Sequence, residues 1–379
     1  MKIFLFYHSL ISDWNHGNAH FLRGIVNALM EDGHDVTVYE QLNGWSFSNM
    51  IADAGTEPVT EYKKRFPNQK VRFYKENDFI PNMLRDADLV IVHEWNSPEI
   101  IEKIGAHHKL YGDYVLLFHD THHRSITDFD NMQRNDLSGY DGVLAFGEII
   151  RNIYLANNWS KQAWTWHEAA DVSLFHPMTS KPAPEGDLVW IGNWGDNERN
   201  QELLEFIVKP VKELKLKAKF YGVRYPSDAL VALKDAGIEY GGWLPNYKVP
   251  EVFARYRVTV HVPRMPYVEA LPGIPTIRPF EALACGIPLI TSPWKDTEEL
   301  FRKNKDYLMV ENGEQMKLAL KRILEDKGFT QNMVAHGLET IRSRHTCHHR
   351  KDQLMEIVDQ ITRQTQKKQV LPEGNDELS

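Results

Sequence analysis

Three short stretches carry side chains of the types that handle protons and anions. FHDTHHR (118–124) puts three histidines and an aspartate between positions 119 and 123. A histidine at the end of a buried strand can orient or deprotonate a hydroxyl, so His119 and Asp120 are the candidate catalytic pair, with the ring of His119 expected to face a cleft. His119, Asp120, His122 and His123 are also metal-ligand types, but consecutive histidines on a loop diverge and no metal is expected. TIRPFEALACG (276–286) reads as a short helix with Thr276 as cap, Pro279 tolerated in the first turn and Gly286 ending it. Unpaired amides around Ile277 to Phe280 favour a phosphate, and Arg278 reinforces that preference. Glu281, one turn deeper, is placed to accept hydrogen bonds from vicinal hydroxyls. Phosphate at the tip and ribose at the acid is the arrangement of a bound nucleoside diphosphate. The bland alternative is a capped surface helix with a solvated glutamate.

The third stretch is DWNHGNAH (13–20). Gly17 permits close backbone approach, Asn18 can cap the helix that follows, and His16 is a candidate contact. His93, after DLVIV, holds a comparable strand-end position. HTCHHR (345–350) surrounds Cys347 with three histidines, but a lone cysteine is not a zinc pattern; it reads as the start of the last helix.

These residues need a scaffold, and the hydrophobic pattern supplies one. KIFLFYH (2–8) is an apolar run of strand length, followed by a polar loop and then FLRGIVNALMEDGH, whose Phe21, Ile25, Leu29 and Met30 recur at helical spacing. DVTVYE (35–40) completes a βαβ unit. Buried strands continue in DADLVIVHE (86–94), YVLLFHD (114–120) and YDGVLAFGE (140–148). After the linker-like KPAPEGD (181–187) the pattern restarts with LVWIGNW (188–194), AKFYGV (218–223), VTVHVPR (258–264), IPLITS (287–292) and KDYLMVE (305–311). The expected class is α/β: two doubly wound Rossmann-like domains, residues 1–172 and 186–348. A helix over 349–365 is expected to pack back across the cleft, with a disordered tail over 366–379. Ligands of open parallel sheets sit beyond the carboxyl ends of the strands, so two facing sheets would share one interdomain cleft.

A length of 379 residues suits two such domains. Two cysteines make no disulfide framework, and the start lacks a signal-peptide pattern, so a cytoplasmic protein is expected. No apolar run reaches membrane-spanning length, and a net charge of −8 argues against a nucleic-acid partner.

FEALACGIPLI resembles the donor-binding motif of nucleotide-sugar glycosyltransferases of the GT-B fold, particularly family 4 and the spore-maturation CgeB-like group. HGNAHFLRGIVNALMEDGHDVTVYE resembles that family's first loop and helix, EAADVSLFHP (168–177) its entry to the second domain, and GLETIRSRHTCHHRKDQLMEI (337–357) the CgeB-like ending. The resemblance implies a GT-B glycosyltransferase with the acceptor on the first domain and a nucleoside diphosphate-sugar on the second. It implies no cofactor, a hydroxyl-bearing acceptor (a glycan, glycoconjugate or small molecule), a ribose at Glu281, and a diphosphate near Arg278, Arg264 and Arg199. Asn193 belongs to the same donor set, and His119 would lie by the sugar. Gly273 stands where family 4 carries a second acid, which leaves retention against inversion open. A nucleotide-sugar epimerase, a non-catalytic binding protein and a DNA-base glucosyltransferase remain the rivals.

Overall fold

The computed structural model describes residues 1–180 and 182–370. Its first sheet is built from β1 (Lys2–Tyr7), β2 (Asp35–Gln41), β3 (Lys70–Tyr74), β4 (Leu89–His93), β5 (Val115–Asp120), β6 (Gly142–Ala145) and β7 (Ala163–Thr165). Their spatial order is β3-β2-β1-β4-β5-β6-β7, with every pairing parallel. The second sheet contains β8 (Gly186–Ile191), β9 (Ala218–Tyr221), β10 (Glu239–Tyr240), β11 (Tyr256–His261), β12 (Leu289–Thr291) and β13 (Leu308–Met309), in the order β10-β9-β8-β11-β12-β13 and again all parallel. Helices cover both faces of a parallel sheet, so the central strands read as unbroken apolar runs: all residues of β4 and β5 are buried. The edge strands β3, β7 and β10 are missing from the sequence reading. They are short and partly exposed, so they lack that apolar signature.

Strand order reverses between β1 and β4 in the first sheet and between β8 and β11 in the second. Loops leaving those strands diverge there and open a crevice at each switch point. The loops after Tyr7, His93, Ile191 and His261 therefore edge the space between the sheets.

The last helix runs Cys347–Val370 and packs on the Ala19–Glu31 helix of the first domain. Arg350 anchors it: its carbonyl accepts from Trp166 Nε1 at 2.8 Å, and its Nε donates to the His167 carbonyl at 2.9 Å. Lys351 pairs with Asp32 and His348 with Glu31. Gly24 permits this contact, because a Cβ there would sit 2.5 Å from Cys347 Sγ and 2.8 Å from Asp171 Cβ. The expected tail from 366 is helical as far as Val370; residues 371–379 lie outside the described residues. Among the described residues no helix is long and apolar enough to cross a membrane.

Candidate active site

A cleft of about 670 Å³ lies between the two sheets. The second domain lines it with Arg199, Arg224, Arg264 and Arg278 and with the tip of the Ile277–Cys285 helix. The amides of Ile277 and Arg278 have no acceptor within their own helix, so they and the helix dipole attract an anion. Arg264 donates to Glu198 at 2.8 Å and Arg224 pairs with Asp196 at 3.1 Å. Arg199 is held differently. It donates to the Val262 carbonyl at 2.8 Å and the Asn193 carbonyl at 2.6 Å, and its guanidinium lies 5.1 Å over the Trp190 ring. Burial lowers its pKa to about 9, so it still carries a proton at neutral pH. Asn193 lines the cleft, accepts from the Val223 amide at 3.0 Å and donates to Asn15 across the domain boundary.

Thr276 stands at the N-cap, but its side chain makes no cap hydrogen bond. Its backbone is at φ 59° and ψ −178°, a region that a β-branched residue rarely occupies. Phe280 does not reach the cleft: it is core, packed on Phe301 and His345. Ile277 and Arg278 are the parts of the tip that do.

Glu281 is fully buried and is not among the cleft-lining residues. Its Oε1 accepts from Asn246 at 2.6 Å and meets His20 Nδ1 at 3.1 Å, while Oε2 accepts from Arg278. Burial pushes its pKa up, but Arg278 and the bonds from His20 and Asn246 prevail and hold it below the ordinary value. Here, then, Glu281 faces a protein network rather than a ribose. It links a helix of the first domain to two elements of the second and fixes the guanidinium of Arg278 at the helix tip. His20 is buried in that network, and its Nε2 accepts from the Asp171 amide at 2.7 Å.

The first-domain wall meets the cleft mainly with uncharged rings; of its acids, Asp13 and Glu168 line the cleft, and Asp13 is paired with Arg23. The wall's main loop follows β1 and is shaped by buried ions beneath it. Glu40 accepts from the amides of Leu10 and Ile11 and from Ser9 Oγ. Arg23 pairs with Asp13 at 2.9 Å and also holds the carbonyls of Leu10 and Ile11. Asp13 in turn accepts from Trp243 Nε1 at 3.1 Å and the Asn246 amide at 3.0 Å, which ties the loop to the second domain. Gly17 lies against the tip of the Ile277–Cys285 helix: a Cβ there would stand 3.5 Å from Ile277 Cγ2. Asn18 occupies the N-cap, but its side chain makes no cap bond and donates to Thr121 instead.

His8, His16, Trp95, His122 and His123 face the same space. The rings of His8 and His16 are 4.7 Å apart, Trp95 lies 5.3 Å from both His8 and His122, and His122 is 4.0 Å from His123. Burial lowers the pKa of His8 to about 4 and those of His16 and His122 well below the ordinary value. These imidazoles are neutral at neutral pH, so each can accept a hydrogen bond from a hydroxyl.

His119 and Asp120 do not line the cleft. β5 continues through both and is covered on each face, and His119 is paired in register with His93 and wedged beside Trp166. Neither ring nitrogen of His119 has a hydrogen-bond partner among the described residues. Asp120 accepts from the Tyr154 hydroxyl at 2.8 Å and from the His122 amide at 3.0 Å, so it shapes the loop instead of meeting a substrate. His93 is likewise buried, with Nε2 at 2.9 Å from Thr121 Oγ1. The strand ends at Asp120 as expected, but its last two residues are still covered; the residues that line the cleft are Thr121, His122 and His123. Sequence reasoning also missed Asn246 and Glu168. Asn246 lies in no motif, and Glu168 opens EAADVSLFHP, which reads only as the entry to the second domain; the packing of distant segments brings both to the cleft. Gly273 has no room for an acidic side chain. It lies at φ 95°, and a Cβ would come 2.7 Å from Thr297 Oγ1. Glu269 is exposed and lies outside the cleft.

Comparison with known proteins bears on this architecture. Residues 199–356 match a family model described as glycosyl transferase-like. No curated protein matches the chain. Among solved structures, sucrose-phosphate synthase from Thermosynechococcus elongatus superposes with a TM-score of 0.65 at 14% identity, over 96% of this chain and 100% of that one. Anabaena Alr3699/HepE, in complex with UDP and glucose, gives 0.64 at 13% identity, over 95% and 99% of the two chains. An alpha-glucosyltransferase in complex with UDP and a 13-mer DNA gives 0.66 at 11% identity, over 95% and 99%. The chain has the GT-B fold: two Rossmann-like parallel-sheet domains facing across a cleft.

Proposed function

We propose that the chain is a glycosyltransferase that moves a sugar from a nucleoside diphosphate-sugar, of the UDP-hexose type, to a hydroxyl of an acceptor. The observation that carries this reading is the meeting, in one cleft, of an arginine-rich helix tip with a wall of neutral imidazoles. The diphosphate would lie on the amides of Ile277 and Arg278, with Arg278 and Arg264 as counter-charges and Glu281 holding Arg278 in place. The acceptor oxygen bonds to the anomeric carbon as the bond from that carbon to the diphosphate oxygen breaks. Negative charge grows on the phosphate oxygens beside the arginines, where a fixed cation is most effective. The acceptor proton passes to an imidazole of the first wall, His16 or His122.

The family match over 199–356 and the UDP held by structural neighbours support this reading. Arginines and amides can supply the charge at the diphosphate, so metal independence is part of the proposal. So are a cytoplasmic location and kinship with family 4 or the CgeB-like group. Titration of the chain with UDP, GDP and ADP and their glucose conjugates, by calorimetry, tests it. Micromolar binding of one nucleotide, weakened in Arg278→Ala, is expected. A folded chain that binds none of them would overturn the assignment.

A further inference from the structure

Glu168 comes from the crossover between the two domains, just beyond β7, and lines the cleft. It is 2% exposed, and its Oε1 has no hydrogen-bond partner among the described residues. Every other buried acid described at this site is engaged: Glu281 by three side chains, Glu40 by a loop, Asp13 by Arg23 and two donors of the second domain. A buried polar group left unmatched is uncommon, and one that lines a cleft is matched most simply by a ligand.

We infer that Glu168 is a specificity-determining residue that binds hydroxyl groups of the transferred sugar. The inference rests on the glycosyltransferase reading and extends it to the sugar. Glu168 acts from close to the helix tip. The charge of Glu281 raises its pKa in addition to the larger effect of burial, and its own charge is felt by Tyr267, which lines the same cleft. Both effects favour the protonated carboxyl. A neutral acid suits this position, because an ionised one would repel the diphosphate beside it. It also presents one donor and one acceptor, the complement of a sugar hydroxyl. The diphosphate departs as an anion against arginines, so the proton of Glu168 is not needed by the leaving group. Its role is to hold the sugar. Gly273 and Glu269 put no competing carboxylate into the cleft.

The test compares UDP with UDP-glucose, by calorimetry, on the full chain carrying Glu168→Ala or Glu168→Gln, with melting temperatures recorded. Glu168→Ala is expected to leave UDP affinity within about two-fold and to weaken UDP-glucose about ten- to a hundred-fold, the effect of losing hydrogen bonds in a buried site. Glu168→Gln, which keeps a donor and an acceptor in the same volume, should recover most of the loss. UDP-glucose affinity unchanged in a well-folded Glu168→Ala chain would overturn the inference and leave the glycosyltransferase reading standing. Equal losses for UDP and UDP-glucose would show a merely structural role and also overturn it. Failure of the folded wild-type chain to bind UDP, GDP, ADP or any of their glucose conjugates would overturn both.

Discussion

The two walls of the cleft solve opposite electrostatic problems. The second-domain wall gathers four arginines against three acids, Asp196, Glu198 and Glu281, and adds the positive end of a helix. The first-domain wall presents imidazole and indole rings; Glu40 and Arg23 lie beneath its loop as scaffolding, and Asp13, which reaches the cleft, is paired with Arg23. A surplus of fixed positive charge suits a diphosphate. A neutral, proton-accepting surface suits an alcohol. On the proposed function, the donor and acceptor sides differ in where each domain puts its charge.

Glu281 is where the walls are joined, so its removal should have the largest effect. Glu281→Ala leaves Arg278, His20 and Asn246 without their shared acceptor in a buried place. Breaking a buried ion pair from one side costs about 3–5 kcal/mol. A fall of that size in unfolding free energy, read from urea denaturation, is expected, with UDP affinity reduced as Arg278 loses its anchor. A solvated surface glutamate would instead change stability by less than about 0.5 kcal/mol.

The two arginines that flank the tip sharpen the comparison further. Arg264 is held by two partly exposed acids, Glu198 and Asp196, and can turn to a phosphate, whereas Arg199 is fixed by two backbone carbonyls and an indole face. Arg264→Ala should weaken UDP about ten-fold, with the loss shrinking at high salt, and leave the melting temperature nearly unchanged. Arg199→Ala should lower the melting temperature first. If the two variants behave alike, the distinction between ligand-facing and scaffold arginines fails.

The neutral wall makes a prediction about pH. His8, His16 and His122 have folded pKa values below the unfolded one, so above about pH 6.5 they impose no proton-linked penalty. As pH falls below that value the unfolded chain takes up protons that the folded chain refuses, and stability declines. The slope is on the order of 1 kcal/mol per pH unit for each such imidazole, until its own folded pKa is reached. Urea midpoints at pH 7 and pH 5 would measure it. Turnover that depends on an unprotonated His16 or His122 should stay level from pH 7.5 to pH 5.5, where an ordinary histidine would already have failed.

What could be read from the sequence follows the same physics. Central parallel strands are buried on both faces, so β1, β2, β4, β5 and β8 stand out as apolar runs, and with them the two-sheet order of the chain. The helix tip was legible because Thr276, Arg278, Pro279 and Gly286 are local signals. His119 misled because apolar pattern locates a strand but not the residue at which it clears its neighbours; the pairing of His119 with His93 decides that, and it is a long-range fact. The partners of Glu281 show the same limit. His20 lies 261 positions away, and no local pattern announces that it will meet the helix tip.

The smallest effect tests whether the cationic wall is held under strain. Thr276 sits at φ 59° with no cap bond to compensate, next to the amides that would take the diphosphate. A β-branched residue there costs about 1–3 kcal/mol, and glycine accepts the conformation freely. Thr276→Gly should therefore raise the unfolding free energy by about 1 kcal/mol, after allowing for the greater freedom that glycine gives the unfolded chain. UDP affinity should stay within about two-fold, since the amides of Ile277 and Arg278 remain in place. A gain in stability with weaker UDP binding would mean that the threonine side chain itself touches the ligand. A loss of stability would mean that the contacts of Thr276 outweigh its backbone strain, and the tip would then owe its shape to the side chain.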